Sequence, residues 1–323
     1  MPMQMRKCSM FEEVSTLTLG GGGLGQVWGE TTREEAVATV HMAVEKGINH
    51  FDLAPMYGKG EAETVIGISL KGMDLSPMKF TTKCMLGNLP ANEVYDSLNR
   101  SLTRSLVTMG LEKIDLFLLH SQLVEDNFLV SSRHKNVNRF MTPLNLFFDA
   151  VIPAFERLRV EGKIGGWGFG LGQQEALEKA IVHEISPSAV QCVVNPLNSA
   201  GGMAFALGDL NSRSVLEVCR SERVPVLAIR ALQAGALASS MDRKLSEDDP
   251  DRKDFDRALG FREVAREFGQ SPARLAYRYA LSVSGISSVI LGVKNRDELT
   301  EALEALSDSP LATNEIERLE QAC

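Results

Sequence analysis

Residues 48–58 read INHFDLAPMYG. The stretch starts as a short apolar run of strand type and closes on an acid, Asp52, with a phenol, Tyr57, five residues further on. Two later runs end in the same manner. KFTTK (79–83) closes on Lys83, and IDLFLLH (114–120) closes on His120. Three successive strand-like segments therefore deliver a carboxylate, a phenol, an ammonium and an imidazole at their C-terminal ends. In a barrel of parallel strands those ends share one rim, and that rim carries the chemistry. An acid, a base and a charge that tunes them are what is needed to move a proton onto or off a carbonyl oxygen.

The rest of the chain repeats the strand–helix alternation. Strands are expected near 16–20, 48–53, 79–83, 114–119, 164–169, 189–194, 224–229 and 288–292, as short apolar runs suited to burial on both faces. Helical patterns lie between them. Thr31 with Glu34 forms a capping-box signature ahead of Val37, Val40 and Val44. Val94, Leu98, Leu102 and Leu106 recur every four residues, and Ser271-Pro272 opens a later helix. Helices are also expected over 150–160, 174–182, 213–220 and 298–306. Eight such units predict an α/β fold, a (β/α)8 barrel spanning 1–323 as one domain with its active site at the C-terminal rim. Two segments break the rhythm, 121–144 after the fourth strand and 231–256 after the seventh. Both leave C-terminal strand ends and are expected to overhang that rim.

Composition narrows the function. The 323 residues carry a formal net charge of −8, which argues against nucleic acid and anionic membrane as partners. No run approaches the roughly 18 apolar residues of a membrane span, and the N-terminus lacks the apolar core of a signal peptide. The cysteines Cys8, Cys84, Cys192, Cys219 and Cys323 are odd in number and widely spaced, as reduced thiols of a cytoplasmic protein would be. With five histidines, no cluster has metal-ligand spacing.

Residues 20–25, GGGGLG, match G-x-G-x-x-G through Gly20, Gly22 and Gly25. A dinucleotide fingerprint must open a helix directly after its strand. Here Gln26, Val27, Trp28 and Gly29 intervene before the helix cap. The better reading is a glycine-rich first βα loop, Gly23 included, lining a flat ligand.

Each of the four rim residues has an ordinary alternative. Asp52 can cap a turn, Tyr57 can pack, Lys83 can lie on the surface and His120 can be a satisfied core residue. Their joint placement changes the weighing, because a lysine and an aspartate at buried strand ends are costly unless paired. A charged Lys83 is expected to lower the Tyr57 phenol from about 10. Asp52 would hold Lys83 charged and oriented, and His120 would donate to the same carbonyl oxygen.

The motifs NHFDLAPMYGKGEAE, KFTTK and DLFLLH resemble the aldo-keto reductases, closest to branches containing sugar dehydrogenases. LRVEGKIGGWGFG, QCVVN, VPVLAIRALQAGAL and VILGVKNRDELTEAL continue the resemblance in family order. It implies that Asp52, Tyr57, Lys83 and His120 form a catalytic tetrad. It implies a nicotinamide cofactor, with neither metal nor flavin, and hydride transfer to or from a carbonyl carbon. Gln191 resembles the glutamine that holds the nicotinamide carboxamide. Gly170 and Leu171 stand where a Ser-Asn pair is common, so one amide contact is missing. Arg230 would reach a cofactor phosphate. The segment with Leu232, Gly235 and Leu237 resembles the pyrophosphate cover, and Gly292, Lys294 and Asn295 resemble the adenosine-phosphate turn. Glu298 would repel a 2′-phosphate, but Lys294 and Arg296 offset it. Family grounds then favour NADP(H) over NAD(H).

Trp28, Met56 and Met85 are expected to wall the substrate pocket, with Leu86 beside them. Arg133, His134 and Lys135 in the first insertion read as a solvated basic loop that an anionic substrate would otherwise meet. The leading expectation is an oxidoreductase acting on a small carbonyl compound, alcohol or sugar. Two others differ in class: a nicotinamide-binding sensor or scaffold, as in the potassium-channel β-subunits of this family, and a cofactor-free lyase using Lys83 as a Schiff base.

Overall fold

The computed structural model describes residues 2–128, 139–204 and 211–323. Its strands are β1 (Met5–Cys8), β2 (Glu12–Ser15), β3 (Leu17–Gly20), β4 (His50–Asp52), β5 (Lys79–Cys84), β6 (Ile114–Leu119), β7 (Gln122–Val124), β8 (Met141–Pro143), β9 (Ile164–Phe169), β10 (Ala189–Val193), β11 (Val226–Ile229) and β12 (Ile286–Leu291). Eight of them close a parallel barrel in the order β3-β4-β5-β6-β9-β10-β11-β12. These are the eight strands expected from the sequence, each within a few residues of its expected span.

Alternation explains which side chains face inward. On β4, Phe51 joins the core beneath the helices, while His50 and Asp52 turn into the barrel. On β5, Thr82 reaches outward to Glu63 of the helix Glu61–Ser69 at 2.7 Å, while Thr81 and Lys83 turn inward. The run IGGWGFG obeys the same period of two. Trp167 and Phe169 are buried outside the barrel, with Trp167 stacked on Phe155 at 5.6 Å. Each such aromatic is worth roughly 1.5–3 kcal/mol of burial. Gly166, Gly168 and Gly170 fall on the inner face. A Cβ on Gly168 would stand 1.9 Å from the Ala189 carbonyl oxygen, so β9 approaches β10 there only as glycine.

The barrel floor is shut by the antiparallel β1–β2 hairpin. Cys8, Phe11 and Val14 form an inner cluster with Leu116, Leu118, Ala189 and Leu227. The Phe11 ring lies 4.6 Å from that of His50. The sequence reading did not foresee this hairpin.

Three local expectations need correction. Thr32, not Thr31, caps the first long helix, accepting from Glu35 N at 3.1 Å ahead of Arg33–Glu45. The Thr-x-x-Glu pattern occurs in both registers, and Thr31 instead donates to the Lys294 carbonyl at 2.8 Å. The segment 121–144 is not all loop, since β7 and β8 pair in parallel within it. In 231–256, Pro250–Arg257 is helical, capped by Asp249. Among the described residues, no helix is long and apolar enough to cross a membrane.

Candidate active site

Lys83 anchors the site. Its Nζ donates to Asp52 Oδ2 at 2.7 Å, to the Leu53 carbonyl at 2.9 Å and to Tyr57 Oη at 3.2 Å. All three donors of the ammonium are thus used, and its side chain is 2% exposed. Asp52 takes a second bond from Gln191 Nε2 at 2.7 Å. Burying two charges is offset only where every polar contact is met, and here it is. Burial pushes the Asp52 carboxyl up against the pull of Lys83 and Gln191. Burial also acts to lower Lys83, but Asp52 and Tyr57 outweigh it and hold the ammonium above its ordinary value.

Tyr57 departs from expectation. Lys83 does pull its phenol down, but burial is the larger influence and Asp52 adds to it, so the phenol lies above its ordinary value. The Lys83 Nζ lies 4.9 Å from the Tyr57 ring centroid. Since Lys83 donates to Oη, the phenolic hydrogen is free to point elsewhere. The loop that presents Tyr57 is left-handed at Gly58, Lys59 and Gly60. It crosses the glycine-rich loop so closely that a Cβ on Gly25 would stand 2.7 Å from the Tyr57 carbonyl carbon. Gly25 therefore positions Tyr57, which is a use of the glycine run distinct from a phosphate turn.

His120 meets the Tyr57 ring edge-on at 5.7 Å. Desolvation, with the Lys83 charge, pushes its imidazole down to about 3, so it is neutral. Its Nδ1 is buried without a hydrogen-bond partner among the described residues. Cys84, beside Lys83, is a buried thiol pushed up to about 11 by burial, which makes it a packing residue.

These four residues share one cavity of about 550 Å³, within the usual range for small-molecule sites. Trp28, Met56, Met85, Gln191, Arg230, Leu232, Gly235, Gly292 and Lys294 line it as well. Three residues expected at the cofactor are placed elsewhere. Gly23 packs on backbone, its Cβ position being 2.0 Å from the Val293 carbonyl oxygen. Leu237 is wholly buried in the core. Asn295 caps the helix Arg296–Glu304, accepting from Glu298 N. Arg133, His134 and Lys135 lie outside the described residues.

The cations are already paired. Arg230 donates to Asp251 Oδ1 at 2.9 Å and to Gln233 Oε1 at 2.9 Å. Arg243 also holds Asp251, at 3.2 Å. The two guanidiniums lie 5.4 and 6.0 Å from the Trp28 ring. That indole sits against Gly22 and Gly292 on the cavity wall. The backbone of the same segment is left-handed at Arg230, Gln233, Ala234 and Gly235. Three of these are not glycine, and such strain concentrates at ligand sites. Asp251, Gln233, Arg243, Asp242, Tyr277 and Glu301 were missed in the sequence. Only Asp251 had a local signal, its place in the first turn of the helix that Asp249-Pro250 opens.

A nicotinamide dinucleotide fits this cavity. Gly170, Gly202 and Gly235 leave part of its wall open, with no atom nearer than 3.5 Å to their absent Cβ positions, whereas Gly22 and Gly292 make room for the Trp28 indole. Three of its lining residues carry a buried polar atom without a partner among the described residues: His120 Nδ1, Gln122 Oε1 and Tyr277 Oη.

Known proteins agree with the geometry. The sequence model described as the Aldo/keto reductase family matches residues 16–323. The chain is 25% identical to L-galactose dehydrogenase of Arabidopsis thaliana, over 92% of this chain and 85% of that one. It is 24% identical to D-threo-aldose 1-dehydrogenase of Pseudomonas sp, over 90% and 89%. The fold superposes on the holo form of an aldo-keto reductase from Bacillus halodurans with a TM-score of 0.74, covering 99% and 96% of the two chains at 18% identity.

Proposed function

The chain belongs to the aldo/keto reductase family, and from that premise we propose that it is an NAD(P)-dependent oxidoreductase with Tyr57 as its general acid and base. The observation that carries this reading is the threefold coordination of Lys83 Nζ, which sets Tyr57 Oη at 3.2 Å from a buried, paired ammonium on the cavity wall. When bound, the cofactor supplies or accepts the hydride at the carbonyl carbon. In reduction, the Tyr57 phenol gives its proton to the carbonyl oxygen. The resulting phenolate is stabilised by Lys83, whose charge Asp52 maintains. The neutral His120 offers one N–H to that oxygen and orients it. In oxidation the same proton returns to Tyr57. Gln191, Arg230, Leu232, Gly235, Gly292 and Lys294 would hold the cofactor. Trp28, Met56 and Met85 would wall the substrate. Names of the two dehydrogenase relatives support an aldose or other small aldehyde, or the corresponding alcohol, as the substrate class.

Because burial holds the Tyr57 phenol above its ordinary value, it stays protonated through the neutral range. Carbonyl reduction should therefore be flat near neutrality and fall as pH rises through the phenol's titration. Alcohol oxidation should accelerate over the same alkaline window. Tyr57→Phe should keep nucleotide binding, read by quenching of Trp28 and Trp167 fluorescence, and lose turnover by about 10²–10⁴-fold. Full activity in that variant would remove the acid role. Absence of binding by either nucleotide would remove the oxidoreductase reading.

A further inference from the structure

The cavity runs from the tetrad to a second end lined by Tyr277, Lys294, Glu298 and Glu301. The cavity is continuous, so a dinucleotide whose reacting ring lies beside Tyr57 can reach that second end with its other nucleoside. The charge there is not what the sequence suggested. Lys294 Nζ is held by Glu298 Oε1 at 2.5 Å and by Asp242 Oδ2 at 2.6 Å. Glu298 Oε2 also accepts the Lys294 backbone N–H at 2.9 Å. Arg296 is turned away, with both carboxylate oxygens of Glu35 within 3.0 Å. Arg243 is committed to Asp251 and lies 3.6 Å from Asp242. Glu301 adds a further carboxylate to the wall and, among the described residues, accepts from the Ser271 hydroxyl alone. One ammonium therefore faces three carboxylates.

A second observation is independent of the charges. Tyr277 is 2% exposed, lines this end, and its hydroxyl is buried without a partner among the described residues. A buried hydroxyl of this kind is costly to leave unmade and is met by a ligand that brings an acceptor or donor to it.

We propose that this end of the cavity is built for the unphosphorylated adenosine ribose of NAD(H), with the Tyr277 hydroxyl bonding the nucleoside and Glu298 and Glu301 excluding the 2′-phosphate of NADP(H). The inference rests on the nicotinamide-dependent reading above and reverses the sequence-based lean toward NADP(H). A 2′-phosphate brings about −1.5 to −2 charges at neutral pH. It would meet carboxylates beside an ammonium, Lys294, that Glu298 and Asp242 already share. A ribose hydroxyl, by contrast, can donate to a carboxylate.

Direct binding tests this without turnover. NADH and NADPH are titrated calorimetrically into the full chain at low and high salt, with thermal melts to show that each variant is folded. NADH is expected to bind at least about tenfold more tightly at low salt, and the ratio should shrink as salt screens the repulsion. Glu301→Gln and Glu298→Gln should each tighten NADPH several-fold, the second also by releasing Lys294, and should not tighten NADH. Tyr277→Phe should weaken NADH several-fold. NADPH binding as tight as NADH in the wild type overturns the proposal, as does a ratio that neither glutamate variant moves. Binding of neither nucleotide overturns instead the reading beneath it.

Discussion

His50 and His120 belong to the same barrel, and both imidazoles are pushed down to about 3 by desolvation and the Lys83 charge. At the floor, His50 is saturated. Its Nδ1 bonds Thr18 Oγ1 at 2.8 Å and its Nε2 bonds Thr81 Oγ1 at 2.7 Å. Thr18 passes the chain on to Ser288 at 2.6 Å, and Ser288 donates to the Ser15 carbonyl. At the rim, His120 has a buried Nδ1 with no partner among the described residues and a face on the cavity. The two regions use one residue type under similar electrostatics, and what separates them is whether the hydrogen-bonding capacity is spent. A closed network specifies the barrel; an open one is available to a ligand.

Lys83 spans this contrast and gives the largest expected stability effect. Its bonds are complete, as at the floor, but one of them ends on the proposed proton donor. Lys83→Met leaves the Asp52 carboxylate buried with Gln191 as its remaining side-chain partner. Removing one member of a buried pair costs about 3–5 kcal/mol. Denaturant unfolding should show that loss, and turnover should fall with it. A variant with wild-type stability and lost turnover would make Lys83 purely a tuning charge and break the analogy with the floor.

The floor itself predicts stability loss without loss of chemistry. His50→Leu leaves Thr81 Oγ1 without its imidazole partner in a buried site, at a cost of about 1–3 kcal/mol. Turnover per folded molecule should be retained. The pH dependence separates the roles further. The folded imidazole titrates near 3 and the unfolded one near its ordinary 6.5. Stability from His50 is therefore complete above about 6.5 and is lost as pH falls toward 3, because only the unfolded chain takes up the proton there. The variant's acid limb should be shallower than the wild type's by one proton. Equal slopes would mean that His50 is solvated when folded.

The same contrast decides what could be read in the sequence. The eight strands were legible because strands buried on both faces are continuous short apolar runs. The grouping of the four rim residues was legible because Asp52, Lys83 and His120 each interrupt such a run at its end. The partners of Arg230 and Lys294 were not. Arg230 pairs with Asp251 across 21 residues, and Lys294 pairs with Asp242 across 52. Those distances in sequence are closed by loop placement, which leaves no periodic trace. The sign of the Tyr57 shift was misread for a related reason. The charge of Lys83 can be inferred from adjacency of motifs, whereas burial of the phenol depends on how the Gly25 and Gly58 loops cross.

Glycines on the inner face of β9 give the smallest and sharpest version of the comparison. At Gly166 a Cβ would stand 2.3 Å from Ser188 Oγ, and at Gly168 it would stand 1.9 Å from a backbone oxygen. At Gly170, two residues nearer the rim on the same period, the closest atom is Gln191 Cβ at 3.5 Å, an ordinary contact. Gly170 also lines the cavity. The lower two are therefore glycine for packing and the upper one for space. Gly170→Ala should change stability by less than about 1 kcal/mol, since nothing must shift to admit the methyl group. Its effect should appear in KM or in nucleotide affinity, as a few-fold change, because the methyl enters the volume beside Gln191. Gly168→Ala is the paired control, expected to weaken the β9–β10 pairing. If Gly170→Ala instead lowers Tm as Gly168→Ala does, the upper glycine belongs to the barrel wall and the boundary between packed floor and open rim lies higher than Gly170.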